Sequence, residues 1–172
     1  MNDFLNMFND PHARHAMMVH WPIVLCVLGP AAVLATIIAG RKNLAVKVLV
    51  VLVFVGASIG AKMAASAGGE AAGGVQAFGV SPAEDAALYD HKQLGRGGWK
   101  WPLIPGALIA LTLIPVRLPF ARIALVSLAL VSSIGVAAWV SITAHEGGEL
   151  VYRYGLGVPE RGKVDAQQQP EK

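Results

Sequence analysis

The chain has 172 residues, of which 55% are hydrophobic and only 15% are charged, and its mean hydropathy is +0.54. This composition excludes a disordered chain and makes an ordinary water-soluble domain a poor fit. The net charge of +3 comes from basic residues that do not cluster, which argues against nucleic acid as a partner. The single cysteine, Cys26, excludes an internal disulfide and a cysteine-based metal centre within one chain. The sequence therefore indicates an integral membrane protein.

Four apolar segments follow one another along the chain. A helix needs about 20 apolar residues to cross a hydrocarbon core of about 30 Å. Backbone groups in lipid must be hydrogen-bonded within their own segment, so these segments are expected to be helices. Short connections make the first and the second pair antiparallel hairpins. The predicted fold class is all-α, a transmembrane four-helix bundle of up-down-up-down topology over residues 17–154, with spans at 17–39, 44–67, 101–116 and 120–145.

The segments around these spans have their own patterns. Apolar residues at helical spacing in 1–16 predict a short interfacial helix before the first span. The Gly- and Ala-rich stretch 68–80 is expected to be a loop. Ser81, Pro82 and Glu84 then form the signature of a helix start, which predicts a short helix to about residue 94, before the glycines of 95–98. The polar tail 155–172 is expected to be loose.

Basic residues near the short connections predict the orientation. Arg41, Lys42 and Lys47 flank one connection, and Arg117 and Arg122 flank the other. By the positive-inside rule these connections are cytoplasmic. Both termini are then periplasmic, in a bacterial inner membrane. Lysines at the ends of the second span, Lys47 and Lys62, are expected to extend towards the headgroups.

Four of the five histidines are expected to meet at one end of the bundle. His15 and His20 begin the first span, His91 precedes the third span, and His145 ends the fourth. In an up-down-up-down bundle these positions share one membrane face. Neutral imidazoles from facing helices are suitable ligands for haem iron or a transition metal. The alternative is that these histidines are only hydrogen-bonded at headgroup depth.

The histidines are not equivalent as ligands. His20 and His145 are the favoured pair, and Glu149, one turn after His145, is placed to orient its ring. His15 and His20 are five residues apart, so on a continuous helix they point about 140° apart. They need a helix break to share one ion, or they serve different sites. His91 is either a ligand or a residue on the polar face of its helix.

A ridge of small residues in the second span is typical of close helix packing. Gly56 and Gly60 form a GxxxG motif, which Ala64 and Gly68 prolong at four-residue spacing. Such a ridge serves packing within one chain or between two copies. A homo-oligomer through Gly56 and Gly60 is therefore one expectation.

Two sequence motifs resemble those of a known family. His15-Ala-Met-Met-Val-His20-Trp-Pro22 and the run from Ala144 through His-Glu-Gly-Gly-Glu-Leu-Val to Tyr152 and on to Val158 are similar to its opening and closing signatures. The family is that of bacterial four-helix membrane proteins catalogued as domain of unknown function 2231. The chain departs from it at Ala16, where the family often has Pro, and at Trp21, where it has Phe.

The resemblance covers residues 15–158 and draws attention to a definite set of positions. Some similar domains occur beside c-type cytochrome domains, which implies a respiratory or haem role. The positions that match the family are His15, His20, His91, His145, the Gly147-Gly148 pair and Tyr152.

These observations lead to one functional hypothesis with two alternatives. The hypothesis is a haem-binding membrane subunit, a small b-type cytochrome without catalytic turnover, whose partners are membrane redox subunits or a cytochrome c. Its haem b ligands come from His20, His145, His15 and His91, and Glu146, Glu149 and Tyr152 support them. The alternatives are a structural accessory subunit of a larger complex and a copper, zinc or iron site built from the same histidines.

Overall fold

The computed structural model describes residues 8–39, 43–77, 79–114 and 119–158, and over these ranges the chain is helical without strands. Three of its helices are long and apolar enough to cross a membrane, in keeping with an all-helical membrane protein. Residues 1–7 of the predicted N-terminal interfacial segment 1–16, and residues 159–172 of the C-terminal tail, lie outside the described residues. The helices are α1 (Pro11–Ile38), α2 (Leu44–Ala77), α3 (Pro82–Gly98), α4 (Leu103–Leu111) and α5 (Pro119–Tyr152).

Helix α1 begins six residues before the predicted span. The Asp10 side chain accepts a hydrogen bond from the backbone N–H of His12 at 3.0 Å, and Pro11 occupies the first helical position. Both are favourable at a helix start. The helix then continues without a break past His15 and His20, so the histidine segment belongs to the same helix as the membrane span.

The prediction of a loop over residues 68–80 is wrong, because helix α2 extends through most of this stretch. The helix continues to Ala77, which makes it 34 residues long. Each glycine in a helix lowers the stability of the helix by only about 1 kcal/mol relative to alanine. Ala67 precedes the first of the glycines in this stretch, Ala71 and Ala72 follow the second, and all three alanines are buried, so packing offsets that cost.

Helix α3 has the predicted start but a later end. The Ser81 hydroxyl accepts the Glu84 N–H at 3.4 Å, and the Glu84 carboxylate accepts the Ser81 N–H at 2.8 Å. The helix runs through the glycines to Gly98 instead of ending near residue 94. Packing on α5 supports this extension, because the Trp139 indole N–H donates to the Leu94 carbonyl at 3.1 Å.

The third predicted span is the short helix α4, with nine residues. A turn over residues 99–102 separates it from α3, and Pro102 explains the interruption because proline disfavours helical geometry in the residue before it. The expected exposure of Lys47 is wrong. Its side chain is buried and its ammonium donates to the Thr112 carbonyl at 3.3 Å, at the end of α4.

Three buried clusters follow one another along the bundle. The first, furthest from the histidines, includes Val33, Phe54, Ile109 and Ala129. The middle cluster surrounds Cys26 and joins α1, α2 and α5, with members Cys26, Ala57, Ala61, Val136, Trp139 and Val140. The third cluster joins α2, α3, α5 and the segment after α5, with members Ala72, Leu88, Leu150 and Leu156.

The small-residue ridge of α2 faces α1 of the same chain. A β-carbon at Gly56 would lie 3.5 Å from Leu25 Cδ1, and one at Gly60 would lie 3.2 Å from Pro22 Cδ. Together with a contact between Gly68 and His15, this register shows that α1 and α2 run in opposite directions. The ridge thus serves packing within the chain, and a homo-oligomer stays a prediction without support from these glycines.

Candidate functional site

A cavity of about 700 Å³ lies at the histidine-bearing end, between α1, α2, α3, α5 and residues 156–157. This volume falls within the range of roughly 300–1,000 Å³ that is usual for small-molecule sites. Its wall is built mostly from small apolar side chains. Among the described residues that line it there is no Asp or Glu, and the titratable or charged ones are His12, His15, His91, Lys62, Lys92 and Arg96.

His15 is fixed from two sides by α2. Its Nδ1 lies 2.8 Å from the Ala64 carbonyl oxygen. A carbonyl only accepts, so in the neutral ring Nδ1 carries the proton and Nε2 keeps its lone pair. The ring also rests on Gly68, where a β-carbon would come within 2.8 Å of the His15 Cε1. Helix α2 therefore sets both the position and the tautomer of this imidazole.

His91 reaches the same cavity from α3. Its ring rests on Gly147 of α5, where a β-carbon would lie 3.0 Å from the His91 Cε1. Its Nδ1 is buried and has no hydrogen-bond partner among the described residues. Burial lowers the pKa of His91, and a charge on His15 would lower it further, while a backbone group of Thr143 opposes the shift. The neutral form, which is the metal-ligating form, is thus favoured.

The two rings lie close enough to share one metal ion. Their centroids are 6.2 Å apart and their planes are inclined by 82°. A metal–imidazole bond is about 2.0 Å long, so two coordinating nitrogens lie at most about 4 Å apart. A ring centre lies farther from a metal than its coordinating nitrogen does, so a centroid separation of 6.2 Å is compatible with shared coordination. Among the described residues no group of three or more His, Cys, Asp or Glu side chains is placed so that it could hold a metal ion.

The pair favoured by the sequence, His20 and His145, lies outside the cavity. Both side chains are exposed, and the His20 Nδ1 is bonded to the Ala16 carbonyl of its own helix at 2.7 Å. Helix α1 is continuous, so His15 and His20 point in different directions, as their spacing requires. The structure brings His15 together with His91, and it does not bring His20 together with either of them.

The three residues expected to support the ligands are also away from the cavity wall. Glu149 forms a salt bridge with Arg153 at 3.6 Å, within α5 and the turn that follows it. Tyr152 is 93% exposed. Neither these two nor Glu146 is among the described residues that line the cavity.

His12 is half-buried and lines the cavity, a placement that was not predicted. Its Nδ1 lies 3.2 Å from the position of a β-carbon on Gly157, a residue with a positive φ of 79°. The signal for this placement is Asp10-Pro11, which starts α1 early and puts His12 one turn before His15. His12, His15 and His91 thus each pack on a glycine from another part of the chain.

The lining face of α3 was also detectable in the sequence. Its lining residues recur every three or four positions, which is the period of one helix face. Beside the histidine, this face contributes two cationic side chains and one indole ring to the cavity wall. It comprises Leu88, His91, Lys92, Gly95, Arg96 and Trp99.

The comparisons with known proteins identify a family but no characterised relative. A family model described as "Predicted membrane protein (DUF2231)" matches residues 11–160. This range includes all five helices and the whole cavity. No curated protein matches the chain, and no solved structure matches it either.

Proposed function

This chain belongs to the DUF2231 family of predicted membrane proteins, and on that premise we propose that it is a haem-binding membrane subunit, a small b-type cytochrome in electron transfer. The observation that carries the proposal is the pair His15 and His91, whose ring centroids lie 6.2 Å apart within one cavity. The proposal changes the favoured ligands from His20 and His145 to this pair.

Haem fits this site better than a bare ion does. A bare transition metal needs more protein ligands than two imidazoles, whereas a porphyrin already supplies four nitrogens to its iron. The imidazoles of His15 and His91 would then hold the iron. The apolar wall suits the porphyrin body, and bound haem would supply the one-electron chemistry while the chain supplies ligation, burial and potential.

The hydrogen bond from His15 to Ala64 supports the same role. Ligating histidines commonly donate their second ring N–H to a carbonyl or carboxylate, which fixes the tautomer and raises ligand basicity. The His15 Nδ1, 2.8 Å from the Ala64 oxygen, has this arrangement. The remaining nitrogen, Nε2, is the one we assign to the metal.

The proposal includes a membrane arrangement. The four predicted spans form an up-down-up-down bundle in a bacterial inner membrane, with both termini and the cavity on the periplasmic side. The antiparallel contact of α1 with α2 supports this topology. A site on that side suits exchange of electrons with other membrane redox subunits or with a cytochrome c.

The test is a dithionite-reduced minus oxidised spectrum of the full chain purified from cells supplied with haem. A pyridine haemochrome assay gives the stoichiometry. We expect a haem b α-band that His15→Ala and His91→Ala abolish. His20→Ala and His145→Ala are the matched controls and should keep it. His15→Met should retain haem with a shifted potential, which separates loss of a ligand from loss of the fold.

Other outcomes overturn the proposal in defined ways. An α-band lost only in the His20 and His145 variants would show that these two residues, the pair favoured by the sequence, are the ligands. A featureless wild-type spectrum would exclude a cytochrome. Elemental analysis of that haem-free protein would then separate a copper, zinc or iron site on His15 and His91, which the Ala64 hydrogen bond also favours, from a structural subunit without metal.

A further inference from the structure

The cavity carries positive charge without any matching negative charge. Lys62, Lys92 and Arg96 line it, and no described lining residue is acidic. None of the three forms a salt bridge with a described residue, whereas Arg14 pairs with Glu70 and Arg153 pairs with Glu149 nearby. Glu70 and Glu149 are thus engaged elsewhere, and no salt bridge among the described residues neutralises the three cavity cations.

The three cations lie on two sides of the cavity. Lys92 and Arg96 lie one turn apart on α3, and Lys92 directly follows His91 in the sequence. Lys62 comes from α2, and its ammonium lies 5.0 Å from the centre of the Trp99 ring. All three residues are exposed, so their charged ends are near water while their stems cover apolar wall. The cavity therefore has an apolar interior and a cationic rim.

We propose that this rim binds carboxylates, and that the cavity selects an amphiphilic acid with a flat apolar body and acidic groups at one end. The inference rests on the proposed function, because haem is such a molecule with two propionates. His15 and His91 would bind the metal, while Lys62, Lys92 and Arg96 recognise the acid. Hydrogen bonds between charged groups are roughly twice as strong as neutral ones, so the rim contributes selectivity as well as affinity.

The experiment uses porphyrins without a metal, because these need no axial ligand. Protoporphyrin IX and its dimethyl ester are titrated into the full chain in a nonionic detergent, and binding is followed by porphyrin fluorescence. We expect the diacid to bind about tenfold more tightly than the ester, a difference of about 1.4 kcal/mol. Added salt should weaken binding of the diacid only, because salt screens exposed charges.

Paired variants locate the acid-binding groups. Lys92→Gln combined with Arg96→Gln should lower the affinity for the diacid towards that for the ester, with Lys62 keeping part of the preference, and should leave the affinity for the ester unchanged. The control combines Lys100→Gln with Arg153→Gln, which removes the same charge from residues that do not line the cavity. This control variant should still bind the diacid more tightly than the ester. Equal loss of diacid binding in both double variants would show a general charge effect and overturn the assignment.

The two proposals fail separately in this design. Equal affinities for diacid and ester in a chain with a normal haem spectrum would overturn acid recognition alone. A clear preference for the diacid in a chain that gives no haem α-band would overturn the cytochrome alone. Absence of binding by either porphyrin, together with a featureless spectrum, would overturn both.

Discussion

Two glycines determine how closely the cavity histidines approach the neighbouring helices. Gly68 supports the ring of His15 and Gly147 supports the ring of His91, with β-carbon positions 2.8 and 3.0 Å from the respective Cε1 atoms. Gly69 and Gly148, the next residues in each case, have open space where a β-carbon would be. Each supporting glycine therefore comes with an adjacent control in the same helix.

A methyl group at a supporting glycine should displace the ring and weaken haem binding. We expect Gly68→Ala and Gly147→Ala to reduce haem affinity by about 10- to 100-fold, the usual effect of disturbing the groups that orient metal ligands. Gly69→Ala and Gly148→Ala should bind haem as the wild type does. Titration followed by absorbance measures all four. Equal losses in each adjacent pair would mean that the glycines act through helix stability and not through the rings.

Only part of the site was predictable at this scale. Helix order alone predicts that the four histidines lie at one end, and this prediction requires no knowledge of side-chain contacts. The choice of pair depends on finer geometry: α1 starts at Pro11 and is continuous, so His15 faces α2 while His20 faces outwards. A prediction that began the helix at residue 17 had no means to orient His15.

At the scale of elements, glycine-rich stretches were the main source of error. Local preference predicts a loop over 68–80 and a helix end near 94, but both helices continue, to Ala77 and Gly98. Tertiary packing explains both cases. Buried alanines stabilise the end of α2, and the contact with Trp139 stabilises the end of α3. The capping box at Ser81 was predictable because it depends only on neighbouring residues.

The contact between α3 and α5 should be sensitive to one methyl group. A β-carbon at Gly98 would overlap the Trp139 ring, whereas one at Gly97 would meet no atom within 4 Å. Gly98→Ala should therefore lower the free energy of unfolding by about 1–3 kcal/mol, the typical cost of overpacking. Gly97→Ala should be neutral, or stabilising by up to about 1 kcal/mol through helix propensity. Unfolding in mixed micelles compares the two, and equal values would contradict the close packing of Trp139 on Gly98.

At the scale of the whole molecule, helix length bears on the depth of the cavity. Helix α2 has 34 residues and is about 51 Å long, whereas a hydrocarbon core is about 30 Å thick. The ends near the cavity carry Glu70 and Gln76 on α2 and Glu146 and Glu149 on α5. Ionisable and other polar groups are disfavoured in hydrocarbon, so we expect these helix ends to project beyond the hydrocarbon core. The cavity would then lie at headgroup depth or above it.

Thiol labelling tests this arrangement without removal of the native cysteine, because Cys26 is fully buried. Asp90→Cys places a thiol on α3 near the cavity, and Asn43→Cys places one at the start of α2, at the opposite end. In spheroplasts, a membrane-impermeant maleimide should label the first variant and reach the second only after permeabilisation. The reverse pattern would invert the proposed orientation. Labelling of both in intact spheroplasts would contradict a span between them.

The three histidine–glycine contacts also link ligand binding to completion of the fold. His15 on Gly68 joins α1 to α2, His91 on Gly147 joins α3 to α5, and His12 on Gly157 joins α1 to the segment after α5. No helix contains the site by itself, so an unfolded chain offers no equivalent binding surface. By mass action, a ligand at 100 times its dissociation constant stabilises such a fold by about 2.7 kcal/mol. Under the proposed haem function, the supply of haem would thereby influence how long each newly made chain survives proteolysis.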